Sequence, residues 1–389
     1  MHIASRTLQL KESVIREMTR LAISCGAVNL SQGFPDFDPP PQVIEAATRA
    51  LTGGQNQYSM SWGLPSLREA LARRYRTMLG WEVDADRHVV VTCGVTEAVA
   101  CAFLAVLDRG DEVIVLEPAH ETYGPAAMLA DAVMVPVTLQ APEFALDPDR
   151  IEAAIGPRTR AILINTPHNP TGRVFNGAEL AAVAELVLRH DLVVITDEIY
   201  DEILYDGRVH VAPGSLEALR ERTVTIGGLG KTFAMTGWRL GHAIAPDQLT
   251  RAVRGAHDFL TVCAATPLQA AGAAALELDR SFYTQMVADY HERRRLFCDT
   301  LTEVGLVHHR PEGAYYAMTD FTGVRPDLDD EAFTRWLTTE VGVACVPGRV
   351  FHSTLDGARP TGHNMVRFAF AKRLDTLNEA ADRLRAGLG

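Results

Sequence analysis

The sequence lacks the features that would place the chain in a membrane or on a nucleic acid. No window approaches the ~20 continuous apolar residues of a membrane span, and the opening stretch MHIASRTLQLKESVIREM lacks the apolar core of a signal peptide. There is no polybasic run, and a net charge of -12 with a pI near 5.5 argues against a basic nucleic-acid-binding face. These absences predict a cytoplasmic protein with small-molecule partners, no nucleic acid and no membrane.

Cysteine is scarce and dispersed along the chain. The sequence contains neither a C-x-x-C pair nor a His-rich cluster that would complete a metal site. We therefore expect no metal and six reduced thiols, mostly filling the core: Cys25, Cys93, Cys101, Cys263, Cys298 and Cys345.

Apolar residues are plentiful and follow an alternating pattern. The 389 residues are 47% hydrophobic, enough for a large core and for two or three domains. From about Val89, short β-branched runs such as HVVVTCG, DEVIVLEP, RAILINTP and LVVITDEIY alternate with alanine-rich helical stretches. Buried runs separated by helices indicate an α/β domain with a mainly parallel sheet.

Two segments flank this pattern. The Gly- and Pro-rich loop SQGFPDFDPPP separates a short N-terminal amphipathic helix from the helix QVIEAATRAL. From about Ser281, a long charged helical stretch leads to the strand-like segments GAYYAMTDF and HNMVRFAFAK. The sequence thus predicts an N-terminal arm (1–40) that contributes to a small α+β domain (281–389), and a large domain (41–280), packed around a shared cleft.

Lys231, in VTIGGLGKTFAMTGWRLG, raises the first question about chemistry. A phosphate-binding loop needs G-x-x-x-x-G-K-[ST], but Thr225 stands where the first glycine belongs. No strand is followed by G-x-G-x-x-G either, which argues against a nicotinamide-dependent dehydrogenase. Because ligands bind beyond the carboxyl ends of parallel strands, the loops after the predicted strands are the place to look for partners of this lysine.

Those loops and their neighbours carry nine motifs in a consistent order. They are SQGFPDF, NQYSMSWGLPSLREALA, TCGVTEAV, NTPHNPTG, DEIYDEILYDG, GGLGKTFAMTGWRLG, PEGAYY, VPGRVF and VRFAFAK. With them, from about residue 13 to 372, the chain resembles the class I aminotransferases of pyridoxal-phosphate fold type I, in the aspartate and kynurenine/glutamine transaminase-like branch.

The resemblance implies a fold, a cofactor and an activity. The fold would be aspartate aminotransferase-like, with a mostly parallel, mixed seven-stranded sheet in the large domain and a small α+β domain. The cofactor would be pyridoxal 5′-phosphate, and the activity transfer of an amino group between an L-amino acid and a 2-oxo acid. The protein would be a homodimer with shared active sites.

The resemblance also assigns the catalytic groups. Lys231 would bind the cofactor covalently and then shuttle the α-proton, which requires an amine of lowered pKa. Asp197 would face the pyridine nitrogen and keep it protonated, although a strand-end aspartate is often only a helix cap. Tyr200 and Asn169 would hydrogen-bond the cofactor's phenolic oxygen; a buried tyrosine and a turn asparagine are the structural alternatives.

Other motif residues match the family's phosphate-binding groups. The turn CGVTE, with Gly94 and the N–H groups of Val95 and Thr96 opening a helix, would receive the anion. Arg239 of TGWRLG would add a positive charge, unless it is simply solvated. Tyr58 of NQYSMSWG would reach the phosphate from the neighbouring subunit.

The substrate carboxylate calls for a planar, permanently charged donor, and Arg367 of MVRFAFAK matches that position. Gly33 would offer a backbone N–H from the N-terminal segment, where a glycine permits close approach. Residues 14–15 and 33–34, with His120, would border the side-chain pocket. This hints at an apolar or aromatic substrate of medium size without excluding an acidic one.

Two positions depart from the family pattern. His120 stands where an aromatic ring commonly stacks on the cofactor; it could replace that flat ring, add an acid/base group, or leave the stacking to Tyr123. Gly228 replaces a serine that binds the phosphate, at a cost of about 0.5 to 1.5 kcal/mol if nothing else makes the bond. Gly230 is also often serine in relatives.

These departures leave alternatives to amino transfer open. A repurposed enzyme could carry out elimination, substitution or carbon–carbon bond formation with the same cofactor. A non-catalytic sensor that binds the cofactor is a remote alternative, because the lysine, aspartate and arginine are all present and the segment before SQGFPDF is too short for a helix-turn-helix domain.

Overall fold

The computed structural model describes residues 3, 7, 8, 10, 12–353 and 362–389. A seven-stranded sheet forms its centre, in the order β2-β8-β7-β6-β5-β3-β4. The strands are β2 (Val89–Thr92), β3 (Glu112–Glu117), β4 (Val133–Thr138), β5 (Thr159–Asn165), β6 (Val193–Asp197), β7 (Thr223–Gly228) and β8 (Gly241–Ile244). Only β8 runs antiparallel to its neighbours β2 and β7. The predicted mostly parallel, mixed seven-stranded sheet is confirmed.

Helices cover both faces of this sheet, which explains why its central strands are buried along their length. Val90, Val113 and Ile226 pack with helix residues on one face, and Ile114, Ile162 and Val194 pack on the other. The helices of this part are Pro41–Thr52, Pro65–Leu79, Val95–Val106, Tyr123–Leu129, Pro148–Ala153, Gly177–Arg189, Asp247–Leu260 and Thr266–Leu276.

A smaller sheet lies toward the C-terminus, in the order β12-β13-β10-β9. Its strands are β9 (Val307–His308), β10 (Tyr316–Asp320), β12 (Val346–Pro347) and β13 (Met365–Ala369), and they pair antiparallel. The accompanying helices are Arg280–Glu303, Asp330–Trp336 and Leu374–Leu388. The strand-like segments GAYYAMTDF and HNMVRFAFAK thus become the neighbouring strands β10 and β13.

The N-terminal arm packs with this C-terminal part. After the helix Val14–Cys25, β1 (Val28–Asn29) pairs parallel with β11 (Val343–Ala344). Val28 and Leu30 also join the apolar cluster formed by the helix Arg280–Glu303 and the small sheet. The exact domain limits at residues 41 and 281 stay a prediction.

The topology brings the motif-bearing strand ends to one edge of the large sheet. Asn165 lies in register with Asp197, so the ends of β5 and β6 are level, and Asp197 lies in register with Ile226, two residues before the end of β7. Among the described residues, no helix combines the length and apolar character needed to cross a bilayer.

Candidate active site

A cavity of about 180 Å³ opens at this edge of the sheet. Eight of the residues singled out in the sequence line it: Val95, Thr96, His120, Asn169, Asp197, Tyr200, Lys231 and Arg239. The motifs are far apart in the chain, so their meeting in one cavity is a property of the fold. Further lining residues are Val99, Thr122, Tyr123, Asn165 and Ile199.

Lys231 is held in the cavity wall by a carbonyl group of the N-terminal arm. Its Nζ donates to the Gly33 carbonyl oxygen at 2.7 Å and lies 5.8 Å from the ring centre of Tyr200 and 5.6 Å from that of Tyr315. Burial lowers the pKa of the Lys231 amine below its ordinary value. A lower pKa favours the neutral amine, which is the nucleophilic form.

Asp197 is a buried carboxylate at the floor of the cavity. Its Oδ2 accepts a hydrogen bond from the Tyr123 hydroxyl at 2.7 Å, and its Oδ1 accepts the Ile199 N–H at 3.3 Å. Burial raises the pKa of Asp197 to about 6 despite these bonds. The next helical element after β6 is the short helix Pro213–Ser215, so this carboxylate caps no helix.

Asn169 and Tyr200 approach the cavity from the loops after β5 and β6. The Asn169 N–H donates to the Asn165 side chain at 2.7 Å, and its Oδ1 accepts from Arg367 at 3.0 Å. The hydroxyls of Tyr200 and Tyr316 share a 2.9 Å hydrogen bond. Burial raises the pKa of Tyr200 well above its usual range, so its hydroxyl keeps its proton and can donate.

The opposite end of the cavity is suited to an anion. The helix Val95–Val106 begins there, with its free N–H groups beside the Arg239 side chain. Gly94 adopts φ 85°, and a Cβ on it would lie 2.6 Å from the Arg239 Nη2. Glycine at position 94 therefore both permits the turn and lets the guanidinium approach.

Gly228 fits its surroundings because the space for a side chain is already filled. A Cβ at this position would lie 2.9 Å from Val95 Cγ2 and 3.2 Å from Ile199 Cδ1. The absence of the family's serine is thus matched by two apolar neighbours, and the change does not open a larger phosphate site.

This packing predicts that G228S destabilises the protein. Forcing a side chain against Val95 and Ile199 should cost ~1–3 kcal/mol of unfolding free energy, as overpacking of a core does. Urea denaturation of the cofactor-free protein measures it. The control G237S adds a side chain where nothing lies within 4 Å and should change stability by less than about 0.5 kcal/mol. A neutral or stabilising G228S would contradict the steric account.

His120 presents a flat and uncharged ring to the cavity. Its Nδ1 lies 2.8 Å from the Thr122 hydroxyl, and its ring centre is 5.8 Å from that of Tyr123. Burial lowers the pKa of His120 to about 3, with Arg367 and Lys231 adding to the effect. A histidine that is neutral throughout the physiological range can replace an aromatic ring but gives no proton at pH 7.

We therefore expect H120F to retain activity. The variant loses the contact with Thr122, so kcat/KM should fall by at most roughly tenfold. Because the pKa of His120 lies far below assay pH, the pH profiles of wild type and variant should have the same limbs between about pH 6 and 9. Steady-state kinetics across that range test this. Loss of a limb, or a fall above a hundredfold, would show that His120 exchanges protons.

Arg367 lies on β13 behind Asn169 and is 1% exposed. Its Nη1 donates to Asn169 and its Nη2 to the Ser31 carbonyl oxygen at 2.8 Å, while Nε is buried and has no hydrogen-bond partner within the described part of the chain. The guanidinium lies 4.4 Å from the ring centre of Tyr316 and 4.8 Å from that of Phe351. These contacts fix its orientation and leave donor capacity for a carboxylate.

The remaining predicted residues lie outside the cavity lining. Gly33 contacts Lys231 through its carbonyl oxygen rather than its N–H, and a Cβ on it would lie only 1.9 Å from the Tyr316 hydroxyl. Tyr58 is 82% exposed and does not line the cavity of its own chain. Ile15 packs against the apolar cluster that contains Phe351.

Sequence reasoning missed the tyrosines that surround the predicted groups. Tyr123 was considered as a stacking ring, but its hydroxyl bonds Asp197, and Tyr316 joins Tyr200 to Arg367. The motif PEGAYY marked the region of Tyr316, but the pattern gave no indication of which hydroxyl would meet which partner.

One group of potential metal ligands occurs among the described residues: Glu97, Cys101 and His257. His257 Nδ1 lies 2.7 Å from the Glu97 carboxylate, and its Nε2 lies 2.9 Å from the Ser61 carbonyl oxygen. The bond to Glu97 raises the pKa of His257 against the effect of burial. Both ring nitrogens are therefore engaged, and the group forms an ion pair rather than an open ligand set.

The residues around the cavity fit pyridoxal phosphate. An amine of lowered pKa, a buried carboxylate and a helix N-terminus with an adjacent arginine match the carbonyl, ring nitrogen and phosphate of that cofactor. The glycine at position 94 leaves room at the anion end. Fold and site together define a pyridoxal-phosphate-dependent transferase of fold type I.

The chain belongs to the family described as aminotransferase class I and II, whose model matches residues 26–384. It is 37% identical to the methionine aminotransferase of Escherichia coli over 98% of this chain and 97% of that protein. It is 36% identical to human kynurenine–oxoglutarate transaminase 1, covering 95% and 94% of the two chains. These matches confirm the predicted class, cofactor and enzymatic activity.

Solved structures agree with this assignment. The E. coli methionine aminotransferase structure superposes with a TM-score of 0.94 at 37% identity, covering 99% of this chain and 100% of that one. N-succinyldiaminopimelate aminotransferase from Mycobacterium tuberculosis gives the same TM-score at 39% identity and the same coverage. The fold is therefore that of the aminotransferases, and the chain is a pyridoxal-phosphate-dependent aminotransferase acting on an amino acid and a 2-oxo acid.

Proposed function

We propose that this aminotransferase uses an amino donor with an apolar or aromatic side chain, with Lys231, Asp197 and Arg367 in the roles predicted for them. The main support for this class of donor is the set of side chains around Arg367. Tyr316 and Phe351 flank its guanidinium. The cations that line the cavity are Lys231 and Arg239, both assigned to the cofactor, so an acidic side chain has no dedicated counter-charge there.

Two of the matched relatives support the same donor class. Methionine and kynurenine, named in two of the matched transaminases, both pair an α-amino acid group with a largely apolar side chain. The first test is a donor panel with 2-oxoglutarate as acceptor, comparing methionine, phenylalanine and kynurenine with aspartate. Higher kcat/KM for the first three supports the proposal, and a preference for aspartate contradicts it.

The residues divide the work of the reaction among them. Pyridoxal phosphate, when bound, supplies an electrophilic carbonyl carbon and a ring that accepts electrons. Arg367 binds the substrate carboxylate and Asn169 orients it, because the two side chains already share a hydrogen bond. Lys231 Nζ would remove the proton from the substrate Cα and hold it for the return step.

Two further side chains, Asp197 and Tyr200, would hydrogen-bond the ring nitrogen and the phenolic oxygen of the cofactor. The Asp197 carboxylate would hold a proton on the ring nitrogen, and the Tyr123 hydroxyl fixes the orientation of that carboxylate. Tyr200 would donate a hydrogen bond from its hydroxyl to the phenolic oxygen, because its raised pKa keeps the hydroxyl protonated. The tyrosines and His120 also limit water access to Lys231.

A second copy of the chain would complete the site. Tyr58 is exposed beside other outward-facing apolar residues, among them Met60 and the 94% exposed Phe259. Exposed apolar groups of this size favour a protein interface. Sedimentation velocity of the holoenzyme should therefore show a dimer, with Tyr58 reaching the partner's phosphate site. A fully active monomer would contradict this arrangement.

Loss of the carboxylate anchor gives a sharp prediction. R367Q should lower kcat/KM by roughly 10- to 150-fold, because hydrogen bonds to charged groups contribute about 1.5–3 kcal/mol. Cofactor affinity should change little, since Arg367 does not line the cofactor cavity. The matched control R373Q alters an exposed arginine nearby in the chain and should leave kcat/KM unchanged. Equal kinetics for R367Q and wild type would exclude the anchor role.

A further inference from the structure

A second cavity of about 380 Å³ adjoins the loop that carries Lys231. Its walls are residues 37–42, residues 232–234 and one side of the helix Arg280–Glu303. The two cavities share no lining residue. A volume of this size lies at the lower end of the range for sites of small ligands.

Four aromatic side chains contribute to the walls. Phe233 and Phe282 stack with ring centres 5.5 Å apart and planes 14° apart, and Phe37 lies 6.3 Å from Tyr290. Tyr290 is 2% exposed, and its hydroxyl is buried without a hydrogen-bond partner among the described residues. The cavity can therefore receive an apolar side chain, and it holds a polar group that no described residue satisfies.

The charged groups in the lining are of both signs. Arg293 donates from Nε to the Lys372 carbonyl oxygen at 2.7 Å, and its guanidinium lies 4.8 Å from the ring centre of Phe37. Within the part of the chain that the structure describes, its Nη1 and Nη2 have no hydrogen-bond or ion-pair partner. Asp289 accepts one bond, from Gln285 at 2.8 Å, and Asp38 has none there. Neither carboxylate forms an ion pair with a cation among the residues that the structure describes.

One held guanidinium and two unpaired carboxylates on aromatic walls match a zwitterion with an apolar side chain. The terminal nitrogens of Arg293 can bind a carboxylate bidentately, and the carboxylate of Asp289, on the same helix, can accept from an ammonium group. A simple carboxylic acid would leave the acidic residues unpaired, and a simple amine would leave Arg293 unpaired.

We propose that this cavity is a second amino-acid site: it binds a free α-amino acid with an apolar side chain, separately from the catalytic cavity. Direct contacts connect the aromatic wall of this cavity to the catalytic lysine. Tyr290 stacks on Tyr315 with ring centres 5.7 Å apart. The Tyr315 hydroxyl donates to the Gly33 carbonyl oxygen, which also accepts from Lys231. The site thus adjoins the catalytic lysine through ordered side chains.

Equilibrium dialysis of the holoenzyme with α-methyl-L-phenylalanine tests the proposal. This probe lacks the α-hydrogen, so it binds without turnover. We expect two molecules per subunit in wild type, one in the catalytic cavity and one in the second. R293Q and D289N should each weaken the second binding event tenfold or more and leave the first unchanged. For the second site, 3-phenylpropionate and phenethylamine should each bind at least tenfold more weakly than the probe.

The control is R295Q, which changes an exposed arginine on the same helix that lies outside the cavity lining. It should retain both binding events. D289N keeps the test decisive if R293Q folds poorly, because Asp289 accepts only one side-chain hydrogen bond. A single molecule per subunit in wild type, or two in both R293Q and D289N with unchanged affinity, would overturn the proposal.

Discussion

K231A is expected to lose covalent cofactor attachment and to reduce turnover by roughly 10⁴-fold, the upper end of what a positioned acid/base group contributes. The structural reason is the position of the Lys231 amine, which is partly buried, held at 2.7 Å by the Gly33 carbonyl oxygen and lowered in pKa. Steady-state kinetics with methionine and 2-oxoglutarate, with added cofactor, measure the loss.

The small number of lysines makes the attachment site easy to establish. The sequence contains three: Lys11, Lys231 and Lys372. Borohydride reduction followed by peptide mapping should place the cofactor on Lys231 alone, and K372R should label as the wild type does. A label on another lysine, or wild-type turnover in K231A, would contradict the assignment.

D197N should be the second most damaging substitution. An amide in place of the carboxylate cannot maintain a proton on the ring nitrogen, so the ring accepts electrons less readily and kcat should fall by roughly 10²- to 10⁴-fold. The cofactor should still attach to Lys231. Rapid-mixing absorbance with excess donor separates attachment from the slowed proton transfer, and unchanged kcat would rule out the role.

Although D197N should lower activity, it should raise the folding stability of the cofactor-free protein above pH 6. Burial raises the pKa of Asp197 from its ordinary 3.8 to about 6, so the fold favours the protonated acid. A carboxyl group whose pKa is raised by folding destabilises the folded state progressively as the pH rises from about 4 to 6. Above pH 6 the full loss of stability, about 3 kcal/mol, is present. Cofactor-free D197N should therefore be as stable as wild type at pH 4 and more stable at pH 8. Thermal unfolding at both pH values measures this, and a less stable D197N at pH 8 would contradict it.

Most of the fold and the positions of the site residues could be predicted from the sequence. Fully buried runs such as VVVT and AILIN become strands of the large sheet, because residues covered on both faces lack polar alternation. Asp197 and Lys231 follow two neighbouring strands, and carboxyl ends of parallel strands meet at one edge. Ordered motifs then identified the family.

The details that depend on side-chain direction could not be predicted. Whether Tyr123 stacks on the cofactor or donates to Asp197 depends on its rotamer. Gly33 presents its carbonyl oxygen, rather than its N–H, to Lys231 because of how the N-terminal arm packs against Tyr316. Spacing along one chain contains neither fact. The cavity around Arg293 is a similar case, since its three walls are distant in sequence.

The steric reason for Gly228 also appears only in three dimensions. In the sequence it is a missing serine, whereas in the structure Val95 and Ile199 occupy the space beside it. The neutral state of His120 likewise follows from burial, which a sequence pattern does not report. Both departures are therefore compatible with amino transfer and do not require another reaction.

The most direct test of amino transfer is a single turnover without acceptor. Purified holoenzyme is mixed with L-methionine, and the products are identified by mass spectrometry while cofactor absorbance is followed. Amino transfer predicts one equivalent of the matching 2-oxo acid per active site, an equal amount of the aminated cofactor, and no ammonia. Release of ammonia, or continued product formation beyond one equivalent, would show that the scaffold performs elimination or another reaction.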